Sequence, residues 1–291
     1  MKKRKVIIIG AKGMLGGDLA KAFSGDSSYE VIAWDREDID ITLEEMVRKK
    51  ILDEKPNIII NAAAYNAVDK AEESDSEFDL AMKVNAVGPE ILAKVAKDID
   101  SIFVQYVSDY IFDGEKGEYF EDDKPSPISN YGQSKAEGER RVEAVEGKYY
   151  LIRISKLFGR PAKSEAAKKS FFEVMLGLAK EKDELKVVDS ERSCFTYTPD
   201  LALATKDLIE KDYNFGIYHI INEGAVTWYE GVKKLFELAE VDPNKPRVIP
   251  VTPDEFPRPA KRAESSVLVN TKFPKLRHYE EAVKEWLSEF N

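Results

Sequence analysis

The chain has few of the side chains that bind metals or form disulfides. Its 291 residues include one cysteine, Cys194, and two histidines, His219 and His278, well apart in sequence. A single cysteine excludes an intramolecular disulfide, and two separated histidines make no zinc or haem constellation. Chemistry must then come from hydroxyls, carboxylates, lysines or a bound cofactor. Long apolar runs are also missing. The basic start MKKRK is followed by VIII, but that run ends at Gly10-Ala11-Lys12, too short for a signal-peptide core or a membrane span. A cytoplasmic protein is expected. Nor is there an excess of positive charge: the net charge of −10 sets the chain against nucleic acid and anionic membranes as partners, because both would repel it. Internal repeats and low-complexity linkers are absent. What remains is a globular composition, 43% hydrophobic and 34% charged, sufficient for one large core or two lobes sharing a cleft.

Short β-branched runs alternate with amphipathic stretches along the first half. KVIIIG precedes a helix near 14–23, then come VIAWD, NIIINAAA, a long helix over 76–97, SIFVQYVSD, and a helix from about Tyr131. Strands that are apolar without alternation imply burial on both faces, hence an α/β fold with a doubly wound, Rossmann-type parallel sheet. YYLIRIS at 149–155 reads as a further central strand. After it the rhythm changes, and helices near 169–181, 199–210, 228–240 and 279–289 are mixed with LKVVDS, GIYHII and a proline-punctuated segment. The expected division is a dinucleotide-binding domain, residues 1–157 with 198–222, and a smaller α/β substrate lobe, residues 158–197 with 223–291. That lobe would lie over the carboxyl ends of the strands, where such sheets bind ligands.

The first strand runs into Gly10-Ala11-Lys12-Gly13-Met14-Leu15-Gly16, a G-x-x-G-x-x-G loop opening a helix. Glycines let the backbone turn tightly and admit a pyrophosphate to the helix N-terminal amides. The second strand ends at Asp35, placed to accept from an adenosine ribose, while Arg36 is suited to a 2′-phosphate, so both NADH and NADPH stay open. Asn61-Ala62-Ala63-Ala64-Tyr65 ends the third strand with small residues, as a cofactor lying against the sheet edge requires; tight helix–strand packing is the plainer alternative.

SNYGQSK, residues 129–135, places Tyr131 and Lys135 one helical turn apart on a shared face. An ammonium about 5 Å from a phenol, at an effective dielectric near 20, favours the phenolate by about 3 kcal/mol. That would lower the phenol's pKa by roughly two units, toward a range useful for acid–base catalysis. Hydride delivered to a ketone leaves an alkoxide, which Tyr131 would protonate. Ser108, ending the fourth strand, is placed to hydrogen-bond the same oxygen. Asn85, mid-helix in KVNAVG, either supports a proton-relay water or bonds back within its helix. Tyr229/Lys233 repeats the Tyr-x-x-x-Lys spacing but carries core-like Leu235, Phe236 and Leu238 and follows no strand-end serine.

These motifs, with VSDYIFDG, YGQSK-AEGE, LIRISKLFG, FTYTPDLALA, GIYHI, WYE and FPRPAKRAESSVL in this order, resemble the extended short-chain dehydrogenases/reductases, and within them the dTDP-4-dehydrorhamnose reductase family. The resemblance spans nearly the whole chain. It implies NAD(P)H-dependent reduction of the 4-keto group of a nucleotide-activated 6-deoxyhexose, most directly dTDP-4-dehydro-L-rhamnose. It also implies Tyr131 and Lys135 as the catalytic pair, with Ser108 where threonine is usual, and a dinucleotide site that includes Gly10, Gly13, Gly16, Asp35 and Arg36. Ser108, Asp109, Tyr110, Tyr131, Lys156 and Arg262 would face the substrate, Arg262 near its nucleotide end. Lys156 departs from the family's aromatic at that position, making either a more polar pocket or merely a solvated strand-end charge. A dehydratase would need an acidic pair after Ser108, where this chain has Asp109-Tyr110. An epimerase, and a non-catalytic NADP-binding subunit of the methionine adenosyltransferase type, are further readings of the same fold. A homodimer is left open.

Overall fold

The computed structural model describes residues 3–164, 168–242 and 245–290. The elements of the first half are β1 (Arg4–Ile9), α1 (Met14–Ser24), β2 (Tyr29–Trp34), α2 (Glu44–Glu54), β3 (Ile58–Asn61), α3 (Asp75–Met82) and α4 (Gly88–Asp98). β4 (Ile102–Ser108), β5 (Gly117–Tyr119), α5 (Asn130–Val145) and β6 (Tyr149–Ile154) follow. The main sheet has six parallel strands in the order Gly216–His219, β6, β4, β3, β1, β2.

The non-alternating apolar strands are explained by two cores, one on each face of this sheet. Ile7, Ile9, Ile59, Phe103 and Leu151 point to one side, against Val47, Ile51, Leu92, Val95 and Val142 of α2, α4 and α5. Val6, Ile8, Ile58, Val104 and Ile152 point to the other, against Leu15, Leu19 and Phe23 of α1 and Leu201 and Leu208 of the helix Thr198–Glu210. Each such side chain, wholly withdrawn from water, contributes about 1.5–3 kcal/mol before entropy is counted. A third core, with Phe158, Phe172, Phe195, Leu235 and Trp286, belongs to the later segments. The strand Ser266–Leu268 of those segments pairs in parallel with β5, joining the two parts beside the carboxyl end of β4.

The long helix expected over 76–97 is interrupted. α3 ends at Met82, a π-helical turn spans Lys83–Val87, and α4 begins at Gly88. Pro89 has no amide hydrogen for the regular ladder, and the wider turn carries Asn85 at its centre. β2 is added to one side of β1 and β3 to the other, so the strand order reverses between β1 and β3, which opens a crevice at their carboxyl ends.

Candidate active site

Both ends of the expected cofactor loop are sterically committed to glycine. Gly10 has φ +81°, and a Cβ there would lie 2.7 Å from the Ala63 nitrogen. A Cβ at Gly16 would fall on the Gly10 carbonyl. Gly13 caps α1, and Met14 opens it, leaving the first-turn amides directed at the crevice. Leu15 turns its side chain into the core. Asp35 accepts from the backbone amides of Lys12 and Arg36, each at 2.8 Å, which fixes its carboxylate beside the loop. Arg36 is exposed at the rim. Ala62, Ala63 and Ala64 line the other wall and are partly exposed.

Asn61, expected to face a cofactor, is turned inward. It is fully buried, donates to Gln105 Oε1 at 2.7 Å, and accepts from the Ala63 amide. Its polar atoms shape the turn and cannot reach a ligand. Tyr65 donates to Glu77 and holds its backbone to Asn85. Asn85 neither bonds back within its helix nor leaves its amide group free. It accepts from the Tyr65 amide at 2.9 Å and donates to Tyr65 O and Ser134 Oγ, both at 3.0 Å. The π turn thus pins the 62–66 segment against α5.

α5 is started by Ser129, whose hydroxyl accepts from the Gly132 amide, and by Asn130, which is held to Ala71 and Glu72. Its first turn buries Tyr131 beside Ser108 at the end of β4. The Tyr131 hydroxyl donates to Asn66 Oδ1 at 3.4 Å, and its ring meets Tyr110 edge to face at 5.4 Å. Lys135 extends below, donating to Tyr106 O at 3.4 Å.

The electrostatics differ from the sequence expectation. Burial pushes the Tyr131 phenol up, and the Ser108 hydrogen bond opposes this only in part. Burial also pulls the Lys135 ammonium down to about 8. In the free protein the site therefore holds a neutral phenol, ready to give a proton, beside an ammonium that desolvation has weakened.

Asp109 was expected to face substrate, but it is 3% exposed and surrounded by hydroxyls. Ser155 and Ser266 donate to its Oδ2, each at 2.7 Å, and Ser108 donates to its Oδ1 at 3.2 Å. Burial raises its carboxyl above the ordinary range, and those three hydroxyls hold it back. The solvated reading of Lys156 is also overturned. The residue has φ +34°, and its ammonium sits 3.7 Å from the centre of the Trp228 ring and donates to Glu191 O. Desolvation brings it to about 8 against the opposing pull of Asp109 and Glu191. Arg262 forms a two-pronged pair with Asp69, at 2.7 and 2.8 Å, beneath the Tyr110 ring.

Asn66, Asp69, Ser155, Glu191, Trp228, Arg258 and Ser266 escaped the sequence reading as site residues. Only Trp228 carried a local signal, at the start of the WYE helix; the others meet the site through contacts distant in sequence. Glu191 accepts from Trp228 Nε1 and pairs with Arg258. Glu191, Arg258 and Arg262 line a cavity of ≈ 310 Å³, with Arg262 against the Tyr110 ring. Among the described residues, no group of three or more His, Cys, Asp and Glu side chains is arranged to hold a metal, and no helix is long and apolar enough to cross a membrane.

A doubly wound parallel sheet, a glycine-walled crevice between β1 and β3, and Ser108, Tyr131 and Lys135 gathered at the end of β4 define an extended short-chain dehydrogenase/reductase. The chain belongs to the dTDP-4-dehydrorhamnose reductase family. The family model described as RmlD substrate binding domain matches residues 4–291. A dTDP-4-dehydrorhamnose reductase of Aggregatibacter actinomycetemcomitans is 39% identical over 277 residues, covering 92% of this chain and 91% of the relative. The crystal structure of a dTDP-4-dehydrorhamnose reductase from Clostridium acetobutylicum is 39% identical with a TM-score of 0.90, covering 98% of this chain and 99% of that one. That from Bacillus anthracis, in complex with NADP, is 32% identical with the same TM-score of 0.90, covering 99% and 100%.

Proposed function

We propose that the protein reduces the 4-keto group of a dTDP-linked 6-deoxyhexose, dTDP-4-dehydro-L-rhamnose giving dTDP-L-rhamnose, with NADPH or NADH. The observation that carries this reading is the meeting of Tyr131, Ser108 and Lys135 at the carboxyl end of β4, in a chain of this family. The glycine cradle, in which a Cβ at Gly10 or Gly16 has no room, fits a dinucleotide pyrophosphate. Gly10, Gly13, Met14 and Leu15 through their backbones, with Asp35, Arg36, Ala62, Ala63, Ala64, Tyr65 and Lys135, would hold the cofactor. When bound, it supplies the hydride.

The protein's own groups do the rest. Tyr131 protonates the alkoxide oxygen; as a buried neutral phenol it carries that proton across the neutral pH range. Lys135 offsets the phenolate left behind, and Asn85 keeps the cofactor wall and α5 in register. Arg262, against the Tyr110 ring, and Lys156, over Trp228, would face the nucleotide sugar. The dinucleotide then belongs to residues 1–157 with 198–222, and the nucleotide sugar to residues 158–197 with 223–291.

Spectrophotometric measurement of NADPH or NADH oxidation with dTDP-4-keto-6-deoxyhexoses tests the reading. A reductase consumes one cofactor per sugar reduced. Sugar conversion without net consumption indicates an epimerase or dehydratase, and cofactor binding without any turnover indicates a regulatory subunit.

A further inference from the structure

We infer that Asp109 is a positioning residue that fixes the direction of the Ser108 hydroxyl, so that Tyr131 alone points a proton at the substrate oxygen. The inference rests on the reductase reading above. Asp109 lies in the one-turn helix Asp109–Ile111 that follows β4, and its carboxylate is reached from three separate parts of the chain. Ser155 comes from the end of β6 and Ser266 from the strand paired with β5, and their two bonds of 2.7 Å converge on Oδ2. Bonds of that length fix the plane of a buried carboxylate. The remaining oxygen, Oδ1, then faces Ser108, whose hydroxyl donates to it at 3.2 Å.

A serine hydroxyl has one hydrogen and two lone pairs. With its hydrogen committed to Asp109, Ser108 Oγ can only accept, and it does so from the Tyr110 amide at 3.2 Å, while the Tyr131 hydroxyl donates to Asn66. Ser108 then has no hydrogen left for the substrate oxygen, and the bond that breaks during protonation is the Tyr131 O–H as the alcohol O–H forms. Both lone-pair directions of Oδ2 are already taken by serines, so Asp109 acts through Ser108 and not on substrate.

Four proteins decide the matter: wild type, Asp109→Asn, Ser108→Ala and the double variant, assayed by NADPH oxidation with dTDP-4-dehydro-L-rhamnose. Asp109→Asn is expected to lower kcat about tenfold or more with KM little changed, and to lower it less than about twofold when Ser108 is already alanine. Equal losses in the two backgrounds, or no loss in either, would overturn the assignment; a merely structural role predicts the equal losses. If Asp109→Asn does not fold, Ser155→Ala/Ser266→Ala takes its place in the same cycle, since freeing Oδ2 lets the carboxylate turn away from Ser108. Should the wild type show no turnover, the functional reading fails. Neutron diffraction of the deuterated wild type then still decides the placement: a Ser108 deuteron directed at Asp109 supports it, and one directed at Tyr131 or carried by Asp109 refutes it.

Discussion

Replacing Lys135 by methionine should stabilise the fold while abolishing turnover. The Lys135 side chain is 6% exposed, and its nitrogen has one long hydrogen bond, to Tyr106 O at 3.4 Å. Burial brings its pKa from the usual 10.5 to about 8, and at about 1.36 kcal/mol per pH unit the difference amounts to about 3 kcal/mol of stability withheld at neutral pH. Methionine keeps the length and apolar stem without the charge. The sign follows from proton counts. Below pH 8 both folded and unfolded chains hold the proton and the penalty is full. Between about 8 and 10.5 the unfolded chain binds more protons than the folded one, so wild-type stability rises with pH. Urea unfolding at pH 7 should therefore find Lys135→Met about 3 kcal/mol more stable than wild type, with the gap closing toward pH 10.5. The same variant should lose turnover by about a hundredfold or more, through loss of the charge beside the phenolate. A Lys135→Met protein less stable than wild type at pH 7, or a gap that does not change with pH, would refute the argument that this ammonium is held against desolvation.

Tyr131→Phe should lower kcat at least about a hundredfold with cofactor Kd nearly unchanged, because it removes the proton donor and keeps the ring; stopped-flow turnover and fluorescence titration check both halves, and unchanged kcat would move the acid elsewhere. Gly16→Ala should weaken dinucleotide binding about tenfold or more, since the added methyl meets the Gly10 carbonyl; a Kd equal to wild type in the same titration contradicts the cradle. Arg262→Ala should raise KM for the dTDP-sugar about tenfold with a smaller change in kcat, the signature of lost binding at a distance from the reacting carbon, and steady-state kinetics test it.

Much of the fold was legible because its signals are local. KVIIIG, NIIIN and SIFVQYV are runs that only a strand covered on both faces can bury, and the glycine loop lies directly between the first strand and its helix. Tyr131 and Lys135 were legible for the same reason, since one helical turn brings them to a shared face. The interruption at 83–87 was less readable: Pro89 signals disturbance, but the π turn is supported by Asn85 bonding to Tyr65 and Ser134, 20 and 49 residues away. Lys156 looked solvated from its neighbours in sequence, and Trp228, which lies beneath its ammonium, arrives from 72 positions further along.

By itself, then, the sequence determined the parallel sheet, the glycine loop between its first strand and helix, and the placing of Tyr131 and Lys135 one turn apart on α5, because periodicity and spacing act over a few residues. Only the tertiary structure decided their protonation, the inward turn of Asn61, the pairing of Arg262 with Asp69, and the enclosure of Asp109 by Ser108, Ser155 and Ser266. Those properties depend on how much water is excluded and on which distant donors arrive, and both are set by packing between segments that the linear chain keeps apart.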